Sequence, residues 1–367
     1  MNTLIPYVDL SKQWTNEKKH LLKLIDKTLS KGDWVGGEEI KKFENNIKKI
    51  CKTKYAIALN SGTDALTLGL HMLGVRRGDE VITTPNSFIA SAATIAHLGA
   101  VPKFVDVLPD QNINPDLIVK SITKKTKAIM PVHLTGRISD MKKIMQISKK
   151  YNIPVIEDGA QSIGSKYMNK PSGSFGSVGC FSAHPLKNLN AMGDAGYLVT
   201  NNKNIHDKIK DLRNHGMNDR NKIKHFGHVS RMDNLQAAIL NYRLKNLDSI
   251  IKKRRFNANF YLKNINSKNV FIPREKECEF NTYHTFVIQV KKRDQLKKYL
   301  EKNRIMTAIH YPKPIHLQPV CKKYNYNKGD FTETEKQAKS ILTLPVNQFL
   351  TLNNLRYIVK QVHNFYE

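Results

Sequence analysis

GCFSAHPLKNLNAMGDAGYLVTNN, Gly179 to Asn202, is the stretch on which the reading of this chain turns. A short apolar run ending at Phe181 breaks into a polar loop with Pro185 and a single lysine, Lys187. The chain then crosses Gly193 and Gly196 and returns as Tyr197-Leu-Val-Thr200. A strand, a lysine-bearing loop and a second strand hold an amine at the end of a sheet. Taken at random, a lysine is a solvated surface charge. Lys187 keeps other company: a hydroxyl at Ser182, an imidazole at His184, and small residues that let neighbouring backbone come close. An amine that must form an imine with a carbonyl group needs such shelter, because partial desolvation lowers its pKa and frees its lone pair.

Outward from that loop, the sequence alternates. Residues 13–30 and Glu38 to Ile50 read as amphipathic helices, the second with Ile40, Phe43, Ile47 and Ile50 on one face. Tyr55 to Leu59 has strand character and leads through Asn60-Ser61-Gly62-Thr63-Asp64 into a helix, Ala65 to Leu73. Strands are expected at 80–84, 101–105, 127–132 and 153–157, the last ending in Asp158, with helices at 87–98 and 139–151 between them. This spacing predicts an α/β domain with a doubly covered, mostly parallel sheet. Ligands of such sheets bind at the carboxyl ends of the strands. Those ends carry Ser61 to Thr63, Pro85 to Phe88, His133, Asp158 to Gln161 and Ser182 to Lys187, so distant motifs converge on one crevice. Past Thr200 come a helix over 204–214 and a long apolar-periodic segment from Leu235 to about Leu262. A smaller unit follows, with a strand over 281–290, a helix over 293–303, a strand over 305–309 and a terminal helix over 352–365. The boundary is placed near residue 250, giving a large domain over 1–250 and a small one over 251–367.

Composition narrows the classes. The 367 residues carry 60 Lys+Arg against 31 Asp+Glu, a formal charge of +29, which raises the question of a polyanionic partner. The basic residues are scattered in pairs, and the one dense run, Lys252-Lys253-Arg254-Arg255, has no interleaved aromatics to stack on bases. They read as solvated helix faces, with a part left to serve a phosphorylated substrate. Neither nucleic acid nor membrane is expected as a partner. Four cysteines without CxxC spacing or a nearby His predict no metal site and a reduced, cytoplasmic protein. The start, MNTLIPYVDLSKQW, lacks the basic-then-apolar order of a signal peptide.

Taken singly, the remaining signals are modest. Ser61-Gly62-Thr63 at a helix start is a phosphate cradle, or simply a cap. Glu157-Asp158 at a strand end fixes a cationic ring nitrogen, or is a surface acid. Phe88 stacks on a flat ring, or packs in the core. On one α/β sheet and in this order, cradle, aromatic, acid, hydroxyl and lysine are jointly far less expected by accident.

Together with PYVDLSKQW, GGEEIKKFE, NSGTDAL, GDEVITTPNSFIAS, GAVPKFVDV, VIEDGAQSIGS, SRMDNLQAAIL and IHYPKPIHLQP, these motifs resemble the DegT/DnrJ/StrS family of pyridoxal-phosphate-dependent sugar-nucleotide aminotransferases over nearly the whole chain. The resemblance implies the aspartate-aminotransferase-like fold, type I of the PLP-dependent transferases, and an amino group moved from an amino acid, glutamate by family habit, to a keto sugar nucleotide for amino-sugar biosynthesis. By the same resemblance Lys187 would hold the cofactor (PLP, alternating with PMP) as an imine and, once released, shuttle a proton. Asp158 would pair with the ring nitrogen, Gln161 would sit near the phenolic oxygen, Phe88 would stack on the ring, and Gly62, Thr63 and Ser182 would hold the phosphate. His184 would line the site. The family commonly has Asn two residues before the arginine of the SRMD-like motif, reaching the partner's phosphate; here that position is Val229, with His228 the candidate substitute. KNLNAMGDAG and the 309–319 tract resemble members that aminate a 3-keto sugar, for which Arg231, His310 and Tyr311 would face the sugar across a homodimer interface. The alternatives are a 4-keto sugar-nucleotide aminotransferase and a non-catalytic regulatory or polyanion-binding protein of the same fold.

Overall fold

The computed structural model describes residues 4–219 and 221–367, so Met1 to Thr3 of the N-terminal stretch lie outside the described residues. Its centre is one sheet of seven strands: β1 Tyr55–Leu59, β2 Glu80–Thr83, β3 Val101–Phe104, β4 Thr126–Ile129, β5 Ile156–Asp158, β6 Val178–Ser182 and β7 Gly196–Thr200. Their order is β3–β2–β4–β5–β6–β7–β1, with the β4–β5 junction made by the parallel bridges Ile129–Val155 and Val132–Asp158. Only β7 runs antiparallel to its neighbours. The near-continuous apolar character of these strands follows from cover on both faces.

On one face the Glu38–Cys51 helix presents Ile40, Phe43, Ile47 and Cys51 at helical spacing, all buried. Phe43 meets Tyr197 edge-on at 5.4 Å between centroids, and Tyr197 stacks on Phe181 at 5.0 Å. Burial of each such aromatic contributes about 2 kcal/mol, so β6 and β7, which flank the lysine loop, are firmly backed. The other face takes the Gly62–Met72 helix, whose Leu66, Leu68 and Leu70 join Ile57, Ile156 and Leu198 in a second core.

The segment expected as one helix from Leu235 to Leu262 is two, Asn234–Leu244 and Leu247–Asn264. Asn246 leaves the helical region (φ −105°, ψ 0°), which lets the first helix stay on the Glu38–Cys51 helix while the second passes from Leu247 and Ile251, in the core with Phe43 and Tyr197, to Ala258 and Tyr261, in a separate core with Phe286 and Leu342. Residue 250 falls inside this second helix. Ile5 also belongs to the core around Tyr261 and Phe286. The 305–309 strand does not form: Ile305 bridges Ile5 while Ala308 bridges Thr343, two different partners within four residues. The 281–290 strand is confined to Phe286–Val290, which pairs with Ile341–Leu344. Among the described residues the cysteines are free and no helix is long and apolar enough to cross a membrane.

Candidate active site

At the carboxyl ends of the parallel strands lies a cavity of about 420 Å³. It brings together Gly62, Thr63, Phe88, Asp158, Gln161, Ser182, His184, Lys187, His310 and Tyr311 from five separate stretches of chain. Arg231 is not on its wall; its guanidinium donates to Asn214 Oδ1 at 2.8 Å, beside the Val229 backbone that bridges Asn214.

The floor is built from glycine. A Cβ on Gly62 would lie 2.7 Å from Ser182 Cβ, and one on Gly196 would lie 2.1 Å from the Ser61 carbonyl carbon; only glycine allows the helix start to press against the β6–β7 ends. Ser61 caps that helix, its Oγ accepting from Asp64 N–H at 3.1 Å. The N–H groups of Gly62 and Thr63 precede the first intrahelical bond and sit at the positive end of the dipole, beside the Ser182 hydroxyl, an arrangement suited to an anion.

Asp158 is 4 % exposed. Burial pushes its carboxyl above the usual range, against the Ser91 hydroxyl donating at 2.8 Å, the Ala160 N–H at 3.2 Å and the charge of Lys187. Such a carboxylate accommodates a cation better than water does. Its neighbour Glu157 points the other way. There it accepts from the backbone N–H groups of Gly173, Phe175 and Gly176 at 2.7–2.8 Å and from His133 Nε2 at 3.0 Å. His133 is therefore turned away from the crevice onto which its strand end had placed it: Nδ1 accepts from Ser139 N–H, leaving Nε2–H for Glu157. Alternation along β5 separates the two acids onto opposite faces.

Lys187 is brought down to about 8 by burial, with the charge of Asp158 pulling in the opposite direction. About a tenth of this amine is unprotonated at pH 7, a far larger share than in an ordinary lysine. His310, whose Nδ1 lies 3.0 Å from Thr343 Oγ1, is driven down to about 4 by burial and by Lys187. Gln161 accepts from Thr135 N–H at 2.8 Å through Oε1 and also hydrogen-bonds Tyr311. Phe88 is 57 % exposed and stands 6.1 Å from the Tyr311 ring; it is a cavity wall rather than core. Sequence reasoning missed Tyr7, Ser91, Asp194 and His284, which share the wall. Tyr7 arrives on an N-terminal segment held by Asn347, and His284 follows Tyr283, whose φ of +46° interrupts the strand that the sequence reads there.

The wall thus offers an anion cradle, a buried carboxylate and a deprotonatable amine around one space. The chain matches the model of the DegT/DnrJ/EryC1/StrS aminotransferase family over residues 15–363, and it belongs to that family. It is 38 % identical over 99 % of its length to a "pleiotropic regulatory protein" of Geobacillus stearothermophilus, covering 98 % of that protein. It is 36 % identical to the dTDP-3-amino-3,6-dideoxy-alpha-D-galactopyranose transaminase of Aneurinibacillus thermoaerophilus, covering 99 % of each chain. The solved structure of NtdA from Bacillus subtilis with bound cofactor PMP superimposes with a TM-score of 0.93 at 32 % identity, over 99 % of this chain and 85 % of that one. The fold is type I of the PLP-dependent transferases and the protein is a PLP-dependent aminotransferase. The donor set fits the cofactor: its phosphate needs an anion cradle, its ring nitrogen a carboxylate, its carbonyl a primary amine.

Proposed function

We propose that Lys187 and Asp158 are the catalytic pair and that the acceptor is a keto sugar nucleotide aminated at C3, with an amino acid, glutamate first, as donor. The observation that carries this reading is the facing of Lys187 and Asp158 across one cavity, with the start of the Gly62–Met72 helix and Ser182 at its floor. Bound there, pyridoxal phosphate supplies the electron sink that stabilises the carbanion formed as the amino group is transferred.

The chain supplies the rest. Gly62, Thr63 and Ser182 hold the phosphate, and Asp158 keeps the ring nitrogen protonated because its own charge favours the cation. Gln161 faces the phenolic oxygen, and Phe88 covers the ring. The Lys187 amine binds the carbonyl and, when free, carries the proton between donor or acceptor carbon and cofactor; a pKa near 8 suits both duties. His184 lines the loop side, while His310 and Tyr311 face the sugar as uncharged hydrogen-bonding groups.

The C3 reading draws on the Aneurinibacillus relative, whose name places the amine at C3, and on the Ile309 to Pro319 tract. Residues 1–250 and 251–367 are proposed as the two domains, with the site between strand ends and the 309–311 loop. A homodimer is proposed as well. The hairpin of Met217–Asp219 and Lys222–Ile223 leads into Phe226 and Val229, and the side chains of Ile223, Phe226 and Val229 are 66 %, 103 % and 56 % exposed, an apolar arm that a partner would cover. Arg231 at its base, with His228 or Val229, would then reach the partner's site. The name of the Geobacillus relative leaves a regulatory role as the second reading. Incubation with glutamate and a panel of 3-keto and 4-keto sugar nucleotides, with mass detection of amino sugar and 2-oxoglutarate, tests the proposal. Amine gained only by 3-keto acceptors is expected; 4-keto preference or no turnover with any acceptor would contradict it.

A further inference from the structure

Behind the lysine loop, the irregular stretch from Asn281 to His284 has each of its four carbonyls held by a side-chain donor. Arg255 holds Asn281 at 2.8 Å, Asn188 Nδ2 holds Thr282 at 3.1 Å, and Arg254 holds Tyr283 and His284 at 3.2 and 3.1 Å. Asn188 follows Lys187 directly, and the His284 ring shares the cavity wall with it. Arg254 is a buried cation, 5 % exposed, whose remaining hydrogen bond goes to Gln348 Oε1 at 3.3 Å. No carboxylate pairs with it among the described residues, although Arg255 one position on has Glu275 at 2.7 Å. A buried cation without a carboxylate costs stability, and nothing in the assigned chemistry uses it.

Beside Arg254 is a second, small void of about 10 Å³, lined also by Asn188, Lys187 and Gln348. Arg254 Nε and Asn188 Oδ1 are buried with no hydrogen-bond partner among the described residues. One is a donor and the other an acceptor. A space of roughly 10–15 Å³ with at least two polar partners is what a single buried water requires.

We propose that Arg254 is a positioning residue for Lys187: its guanidinium fixes the His284 wall on one side and, through one water in the small void, the Asn188 amide that anchors the lysine loop on the other. This rests on Lys187 being the cofactor lysine. The titratable groups sharing a wall with that amine are Asp158 from β5, His184 and Asp194 from its own loop, Tyr7 and Asp9 from the N-terminal segment, His284, His310 and Tyr311. Burial favours the neutral form of Tyr7, His284, His310 and Tyr311. With Arg254 removed, a positive charge behind the loop is lost and water reaches the amine. Both changes favour the protonated lysine.

The test follows Lys187 itself, by the pH dependence of its acetylation in protein loaded with pyridoxamine phosphate, where the amine is free. Peptide mass spectrometry gives the midpoint. Wild type is expected below the ordinary lysine value of 10.5. Arg254→Met and Asn188→Leu are each expected to raise it by about one pH unit, making labelling at pH 8 roughly fivefold slower, and the double variant should equal the larger single effect because both break the same water link. Arg254→Lys keeps the charge but loses the fork, and serves if Arg254→Met does not fold; a smaller upward shift is expected. A folded variant with a lowered melting point and an unmoved midpoint would overturn the proposal, as would additive shifts in the double variant. Retention of borohydride-fixed cofactor by Lys187→Ala would overturn the underlying assignment as well, so the two failures are distinguishable.

Discussion

Lys187→Ala removes an amine without opening a core cavity, because the side chain borders the active-site space. The variant is expected to fold and to lose transamination, with single-turnover kinetics as the check. Asp158→Asn keeps the shape and the Ser91 contact but not the charge that favours a protonated ring. It should remain coloured while the half-reaction with the amino donor slows by more than tenfold, since even one pKa unit lost at the ring is about 1.4 kcal/mol. A rate within about threefold of wild type, under ~1 kcal/mol in barrier, would remove Asp158 from the mechanism. The depressed lysine also has a stability consequence. Its folded value is about 8 against 10.5 for the ordinary group, so between those values the unfolded chain binds more protons and stability rises with pH. Cofactor-free wild type should gain relative to Lys187→Met between pH 8 and pH 10 in urea melts; an equal response would contradict the burial of the amine.

At the scale of elements, Glu157 shows how β5 serves two purposes. Asp158 faces the site, while Glu157 on the other face ties the 173–176 turn and His133 to the sheet. Glu157→Gln puts an amide N–H against backbone donors and is expected to cost about 2–4 kcal/mol, read from chemical denaturation, with little change in the absorbance of bound cofactor. The strands and helices around the site were legible because their apolar spacing matches their cover: Ile40, Phe43 and Ile47 on a helix, and Tyr55 to Leu59 in the sheet. The convergence of Gly62, Asp158 and Lys187 followed from strand ends alone. His133 and Glu157 were not resolved, because the face a strand-end side chain takes depends on the exact register. Tyr7 and His284 carried no periodic signal; hydrogen bonds from Asn347 and Arg254 place them. The break at Asn246 was hidden because apolar spacing continues across it on both sides.

At the scale of the molecule, the dense basic run at 252–255 dissolves into separate tasks. Arg254 turns inward, Arg255 pairs with Glu275, and Lys253 lies over the Phe256 ring at 4.8 Å. It is no continuous strip for a polyanion. The exposed arm at Ile223, Phe226 and Val229 bears instead on assembly. Phe226→Asp is expected to shift the protein toward monomer in light scattering and to lower turnover together with it; a fully active monomer would contradict composite sites. Whether Lys187 carries the cofactor in this cavity is read by borohydride reduction of the native protein followed by peptide mass mapping. A phosphopyridoxyl group is expected on the peptide containing Lys187 and on no other lysine. A label fixed elsewhere, or none in protein that is still coloured, would contradict it.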